Sequence, residues 1–294
     1  MTEFAHITPT AYLDLFASGR PFHLTLAHLV EQDEQYRNWY SDRDSSRSLM
    51  PYINVMDNSA FEMYKQGREM YPSEKLIDMG YKVKADYIVM SDYPGEPARK
   101  TIDKAREMAP ELRANGFGTF FVPHGKAGSI DDLLGAFGWA STAEEVDYIG
   151  VSILAVPLAY GVEKDNKLQR FLSRWKFMQL LDEHNILQRA KENGKKIHFL
   201  GMVDGPNEIQ LVKEYLWAID TWDSSAAVWA GLCDILFDNS PTGLIEGKNE
   251  IEVDFSHSPG EDVNSYLFSS QNMRLGKAAH NMRYIDTLLE EYSR

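Results

Sequence analysis

The chain has a single cysteine, Cys233, among 294 residues. One thiol permits no internal disulfide and no multi-cysteine metal site. In a helical, apolar context it reads as a buried and inert side chain. No stretch approaches the roughly 20 apolar residues that a membrane helix needs. The first 20 residues carry acids and no apolar core, so no secretory signal is expected. Low-complexity segments, blocks of five like charges and sequence repeats are also missing. So are GxGxxG and GxxxxGKS/T, which disfavours the common nucleotide-binding turns. HExxH is absent, the eight histidines are scattered, and no metal or cofactor is expected. Basic residues are in deficit: 30 Lys and Arg against 44 Asp and Glu leave a net charge of −14. That argues against a protein that coats nucleic acid, because phosphate neutralisation dominates such binding. It leaves room for an enzyme with a local basic face. A cytoplasmic location without a membrane partner is the expectation.

What is present is ordinary globular material, 44% apolar and 25% charged, which excludes a disordered or fibrous chain. The length suits one domain spanning 1–294. Short β-rich apolar runs recur at 23–30, 52–57, 86–92, 119–125, 148–153, 197–203 and 219–223, with a weaker one at 251–255. Helical patterns separate them, at 59–66, 96–115, 129–136, 207–216 and 224–237, and a last one closes the chain at 273–292. The first five runs start about 30 residues apart, the length of a βα unit. Strands alternating with helices predict a parallel sheet. Seven or eight units in this length predict an α/β fold, a (β/α)8 TIM-type barrel. A helical insertion, about 154–195, is expected between strands 5 and 6, and a C-terminal helix at the end. An open doubly wound sheet is the alternative.

Barrel enzymes hold their chemistry at the C-terminal ends of the strands. The runs end in Asp57-Asn58-Ser59, Asp92, His124-Gly125, Ser152, Asp204 and Asp223-Ser224-Ser225. Several carboxylates and a histidine therefore converge on one mouth. Such clusters push pKa values apart, so that one carboxyl stays neutral as an acid while another is ionised. Any single Asp after a strand can equally be a helix N-cap; Asp57 and Asp223 both precede good helix starts. Within 219–223, Asp220 competes with Asp223. Period two puts them on opposite faces, and the strand-end position favours Asp223.

Five short motifs carry a resemblance. Asp57-Asn58-Ser59-Ala60-Phe61-Glu62 resembles the D-S-G-G/A-F-Q motif of tRNA-guanine transglycosylases. Phe121-Val122-Pro123-His124-Gly125 resembles their V-Q-G strand, and Tyr148-Ile149-Gly150-Val151-Ser152 their I-G-G strand. Phe199-Leu200-Gly201-Met202 with Pro206-Asn207-Glu208 resembles Y-L-M-G and P-E-D. Ile219-Asp220-Thr221-Trp222-Asp223-Ser224 resembles the F-D-S-A segment. The zinc site and RNA-binding appendage of the tRNA enzymes are absent. The chain is most similar to the phage-type DpdA group, which exchanges guanine in DNA for a 7-deazaguanine.

That resemblance implies a glycosyltransferase, with guanine-containing DNA and a free preQ0-type base as partners. Asp223 would attack C1′ as nucleophile and Asp57 would act as acid and base. Asp92, His124, Gly125, Gly150, Ser152, Leu200, Gly201, Asn58 and Phe61 would bind the base, and Phe61, Tyr93 and Trp222 could stack on it. Lys126, Arg170, Arg174, Lys176, Lys195, Lys196, Arg274, Lys277 and Arg283 are candidates for a basic rim, the stretch 170–176 foremost. Three alternatives stand beside it: base exchange on tRNA, an unrelated carboxylate-dependent barrel glycosidase or hydrolase, and a non-catalytic barrel that binds a partner.

Overall fold

The computed structural model describes residues 1–42, 52–163, 166–203, 205–237 and 270–293. Eight strands are β1 (Glu3–His6), β2 (Phe22–Leu26), β3 (Ile53–Asp57), β4 (Tyr87–Val89), β5 (Gly118–Phe121), β6 (Tyr148–Ser152), β7 (Lys196–Leu200) and β8 (Ile219–Ser224). The helices are α1 (Leu13–Phe16), α2 (Ala27–Gln32), α3 (Glu34–Ser41), α4 (Ala60–Gln66), α5 (Ser73–Lys82), α6 (Ala98–Ala114) and α7 (Ile130–Ala140). Then come α8 (Ala155–Ala159), α9 (Lys167–Glu183), α10 (Ile186–Glu192), α11 (Pro206–Val212), α12 (Ala226–Leu232) and α13 (Ser270–Tyr292). The strands are all parallel, in the order β1-β8-β7-β6-β5-β4-β3-β2. β1 and β2 lie side by side at the seam, so the sheet is a nearly closed (β/α)8 barrel, as the alternation of runs predicts.

Burial on both faces explains why the strands read as continuous apolar runs. One set of side chains fills the barrel: Phe22, Leu24, Val55, Val89, Phe120 and Tyr148. The alternate set, including Met56, Ile88, Phe121, Ile149, Phe199 and Trp222, packs against the helices. A continuous apolar run does not say where a strand stops, however. The run 23–30 divides into β2 and the start of α2, because Ala27, Leu29 and Val30 bury a helical stripe. The first strand, β1, is four residues long and went unpredicted. Its addition moves the helical insertion, α8 to α10, to between β6 and β7. Residues 251–255 and Asp204 lie outside the described residues.

The C-terminal helix is part of the barrel wall. Asn281 is fully buried; its amide donates to the carbonyls of Ala227 (3.2 Å) and Ile235 (2.9 Å) and accepts from the Phe237 N–H (2.8 Å). Asp286 accepts from Arg20 (2.6 Å) and pairs with His6 at the end of β1 (3.0 Å). α12 and α13 approach so closely at Gly231 that a Cβ there would stand 2.2 Å from the Ala278 nitrogen. Backbone cannot yield as a side chain can. Gly231→Ala should therefore cost roughly 2–3 kcal/mol and lower the melting temperature by several degrees, measurable by calorimetry.

Candidate active site

The C-terminal ends of the strands open into a cavity of about 320 Å³. Asp57, Asn58 and Phe61 line it from β3 and the start of α4, Asp92 and His124 from the loops after β4 and β5, and Ser152 from β6. Leu200, Gly201 and Asp223 complete this set from β7 and β8. Two of the expected binding residues are not among its walls. Gly125 packs against the Leu133 backbone, and Gly150 sits below the cavity against Leu200, Phe120 and Val122. Both glycines make room for neighbouring chain.

The alternation along β8 decides which of the two aspartates faces the cavity. Asp220 points outward, paired with Lys191 (2.7 Å) and accepting from the Ile197 N–H (2.7 Å). Trp222 shares that outer face and is fully buried against Phe199 and Phe4, so it cannot stack on a ligand. Thr221 and Asp223 point the other way, toward His198 of β7. Asp223 Oδ1 meets His198 Nε2 (2.9 Å) and accepts from the Gly201 N–H (3.1 Å). His198 Nδ1 lies 2.7 Å from the Thr221 hydroxyl. With Thr221 donating to Nδ1, Nε2 keeps the proton and donates it to Asp223, which satisfies both ring atoms. Two N–H donors thus solvate one oxygen of Asp223. The other oxygen has no hydrogen-bond partner among the described residues.

Asp57 has a different environment. Among the described residues its carboxyl accepts one hydrogen bond, from the Ser59 N–H (3.1 Å). Desolvation pushes its carboxyl well above the usual carboxylate range, and the nearby charges of Glu62, Asp92 and Asp223 push the same way. Glu62, at the rim, is also raised, chiefly by desolvation. Asp92 is buried. It accepts from Asn58 Nδ2 (2.6 Å) through Oδ1 and contacts His124 Nε2 through Oδ2. His124 is buried too, and its Nδ1 has no hydrogen-bond partner among the described residues. Beside Glu62 stands His28, with Nδ1 2.9 Å from the Ser59 hydroxyl; burial lowers its pKa. Ser59 itself is held at φ +60, where the chain turns sharply from β3 into α4.

Neither aspartate acts as a helix cap. The N-cap positions of α4 and α12 are Ser59 and Ser225. The strand-end reading missed His198, Glu62, His28 and Arg174. A histidine inside the apolar run 197–203 was the one visible signal for His198. The basic rim did not form as expected. Arg174 is fully buried, Lys195 donates to the carbonyls of Ala143 (2.6 Å) and Val146 (2.7 Å), and Lys277 pairs with Asp234. Lys196 lies over the Tyr87 and Tyr148 rings, near the opposite end of the barrel. Of these bases only Arg170 lines the cavity. Among the described residues no group of three or more His, Cys, Asp or Glu side chains is placed to hold a metal ion. None of the described helices is long and apolar enough to cross a membrane.

No protein-family model matches the chain, and no curated protein does. Among solved structures it is similar to a putative fructose-1,6-biphosphate aldolase from Coccidioides immitis, at 11% identity and a TM-score of 0.50 over 99% of this chain and 92% of that one. It is also similar to an HpcH/HpaI aldolase/citrate lyase family protein from Burkholderia cenocepacia, at 12% identity and a TM-score of 0.46 over 76% and 88%. A third is the citrate synthase SbnG, at 15% and 0.46 over 76% and 84%. These findings overturn the transglycosylase resemblance, and with it guanine exchange in DNA and the glycosyltransferase class. The five motifs are short segments at or beside the ends of apolar strands, carrying Gly, Asp or Ser there, a pattern that a barrel of this architecture produces at its strand ends. The DNA and deazaguanine partners rested on that resemblance and are not carried further. What the similarity at this identity establishes is the (β/α)8 fold.

Proposed function

We propose that the chain is a carboxylate-dependent acid–base enzyme that cleaves a small, polar, hydroxyl-bearing substrate in the barrel mouth. The observation that carries this is the unequal pair in one cavity: Asp57, whose carboxyl desolvation pushes well above the usual carboxylate range, and Asp223, held by two N–H donors. Asp57 gives its proton to the atom that leaves, and Asp223 takes a proton from the attacking water or from a substrate hydroxyl. His198 fixes the orientation of Asp223, as a hydrogen-bonded partner does for a catalytic base. A cavity of about 320 Å³ is at the small end of ligand sites, the scale of one sugar ring or a hydroxy acid. Apolar Leu24, Leu26, Val122, Ile153 and Met202 give it dry walls around the polar floor.

The test is a panel assay. Aryl glycosides and fructose 1,6-bisphosphate are incubated with the wild type and with Asp57→Asn, and products are followed by chromatography. Turnover of a hydroxyl-bearing substrate that depends on Asp57 supports the reading. Turnover that Asp57→Asn leaves untouched counts against it.

A further inference from the structure

The helical insertion buries one charged side chain between the helices and the outer face of the barrel. Arg174, in the middle of α9, is fully buried between the rings of Phe199 (4.5 Å to the centroid) and Trp222 (5.9 Å). Its guanidinium donates to the carbonyls of Gly201 (2.9 Å) and Val151 (3.1 Å) and pairs with Glu208 of α11 (2.9 Å). Glu208 is also fully buried, and its other oxygen accepts from the Val203 N–H (2.8 Å). The Gly201 carbonyl receives a second donor, Trp222 Nε1, at 2.9 Å. Gly201 has φ +69, a conformation that favours glycine, and its N–H points to Asp223. Arg174 and Glu208 thus grip both sides of the short loop that supplies one of the two donors to Asp223.

We infer that Arg174, braced by Glu208, is a positioning residue for Asp223: it fixes the Gly201 loop so that the Gly201 N–H meets the carboxylate, and it adds a buried positive charge behind it. The inference rests on Asp223 being the working carboxylate. A buried ion pair is weak as a source of stability, whereas a planar fork that binds two carbonyls and a carboxylate at once is a geometric device that lysine cannot copy. Burial lowers the proton affinity of the Arg174 guanidinium, and Glu208 and then Asp223 raise it, so the arginine and Asp223 feel each other electrostatically. The other charged and titratable groups that share the cavity with Asp223, or touch it, are His198 on β7, Asp57 on β3, Glu62 on α4, His28 on α2, Asp92 and His124 after β4 and β5, and Arg170 on α9.

The experiment needs no substrate. Protein carrying 13C-labelled aspartate is titrated by NMR, with the Asp223 signal assigned by its loss in Asp223→Asn. In Arg174→Met the midpoint of that signal should move up by roughly 1 pH unit, since an opposite charge has been removed. In Glu208→Gln it should move down, because Arg174 loses its competing anion. The amide of Gly201 should exchange its hydrogen faster in Arg174→Met. If Arg174→Met does not fold, Glu208→Gln decides alone. A folded variant whose Asp223 midpoint stays where it is in the wild type overturns the inference. The two midpoint shifts, obtained with a protein inactive on every substrate of the panel, would uphold the positioning role while the proposed acid–base reaction falls.

Discussion

Replacing Asp223 by alanine is expected to reduce kcat/KM roughly 1000-fold or more while the fold survives. The magnitude is that of removing a positioned base from a cleavage reaction. The fold should survive because Asp223 is a boundary residue. It lines the cavity, and its partners are one histidine and one backbone N–H. Its loss leaves His198 Nε2 without an acceptor inside the barrel, which costs about 1–3 kcal/mol. Asp223→Asn should be nearly as inactive with a smaller loss of stability. Asp220→Asn is the control. It breaks the outward pair with Lys191 and an acceptor for the Ile197 N–H, so it should lower stability by about 1 kcal/mol and leave kcat unchanged. Steady-state kinetics and thermal melts on the three variants check these outcomes together. An Asp223→Ala enzyme with full activity would remove Asp223 from the chemistry.

Asp57→Asn should separate activity from stability in opposite directions. Activity should fall by about 100-fold or more, since the leaving atom loses its proton donor. Stability near neutral pH should rise by about 1–2 kcal/mol, as happens when a strained functional group is removed. The sign follows from linkage. Desolvation, Glu62, Asp92 and Asp223 raise the Asp57 carboxyl above its unfolded value. Between the unfolded and folded values the native state therefore holds the proton that the unfolded chain has released. The contribution of Asp57 to stability is fully present below the unfolded value and is lost as pH rises through the folded one. The wild type should accordingly lose stability with rising pH above the ordinary carboxylate range, and Asp57→Asn should lose less. Chemical denaturation at a series of pH values reads the difference. Parallel profiles for the two proteins would show that Asp57 is not a strained acid.

The barrel was legible because its strands are buried on both faces. Runs such as 86–92 and 148–153 have no polar side to disguise them, and turn residues bound them closely. β1 was not legible. Glu3–His6 offers only four residues, flanked by a polar terminus, and its pairing with β8 spans the whole chain. The start of α2 was hidden for a related reason: Ala27, Leu29 and Val30 continue the apolar run of β2, and continuity does not reveal a change of period. Strand-end logic put Asp57, Asp92, His124 and Asp223 at one mouth, and all four line the one cavity, because architecture fixes those positions. The supporting groups depend on pairings that sequence spacing does not announce. Arg174 meets its partner Glu208 across one intervening helix and a strand, and its place in a basic-looking stretch suggested a solvent-facing cation. The family resemblance failed for the same reason that the fold reading succeeded. Strand-end glycines and aspartates belong to the barrel before they belong to any one chemistry.

The central claim is that Asp57 keeps its proton above the usual carboxylate range, in the same cavity as the hydrogen-bonded Asp223. The most direct measurement is a 13C titration of the Asp57 carboxyl in the wild-type protein, assigned by its absence in Asp57→Asn. The account predicts a carboxyl signal that stays in its protonated position well above the usual carboxylate range and then titrates. A midpoint within that ordinary range would contradict it, and would leave the cavity without its proton donor.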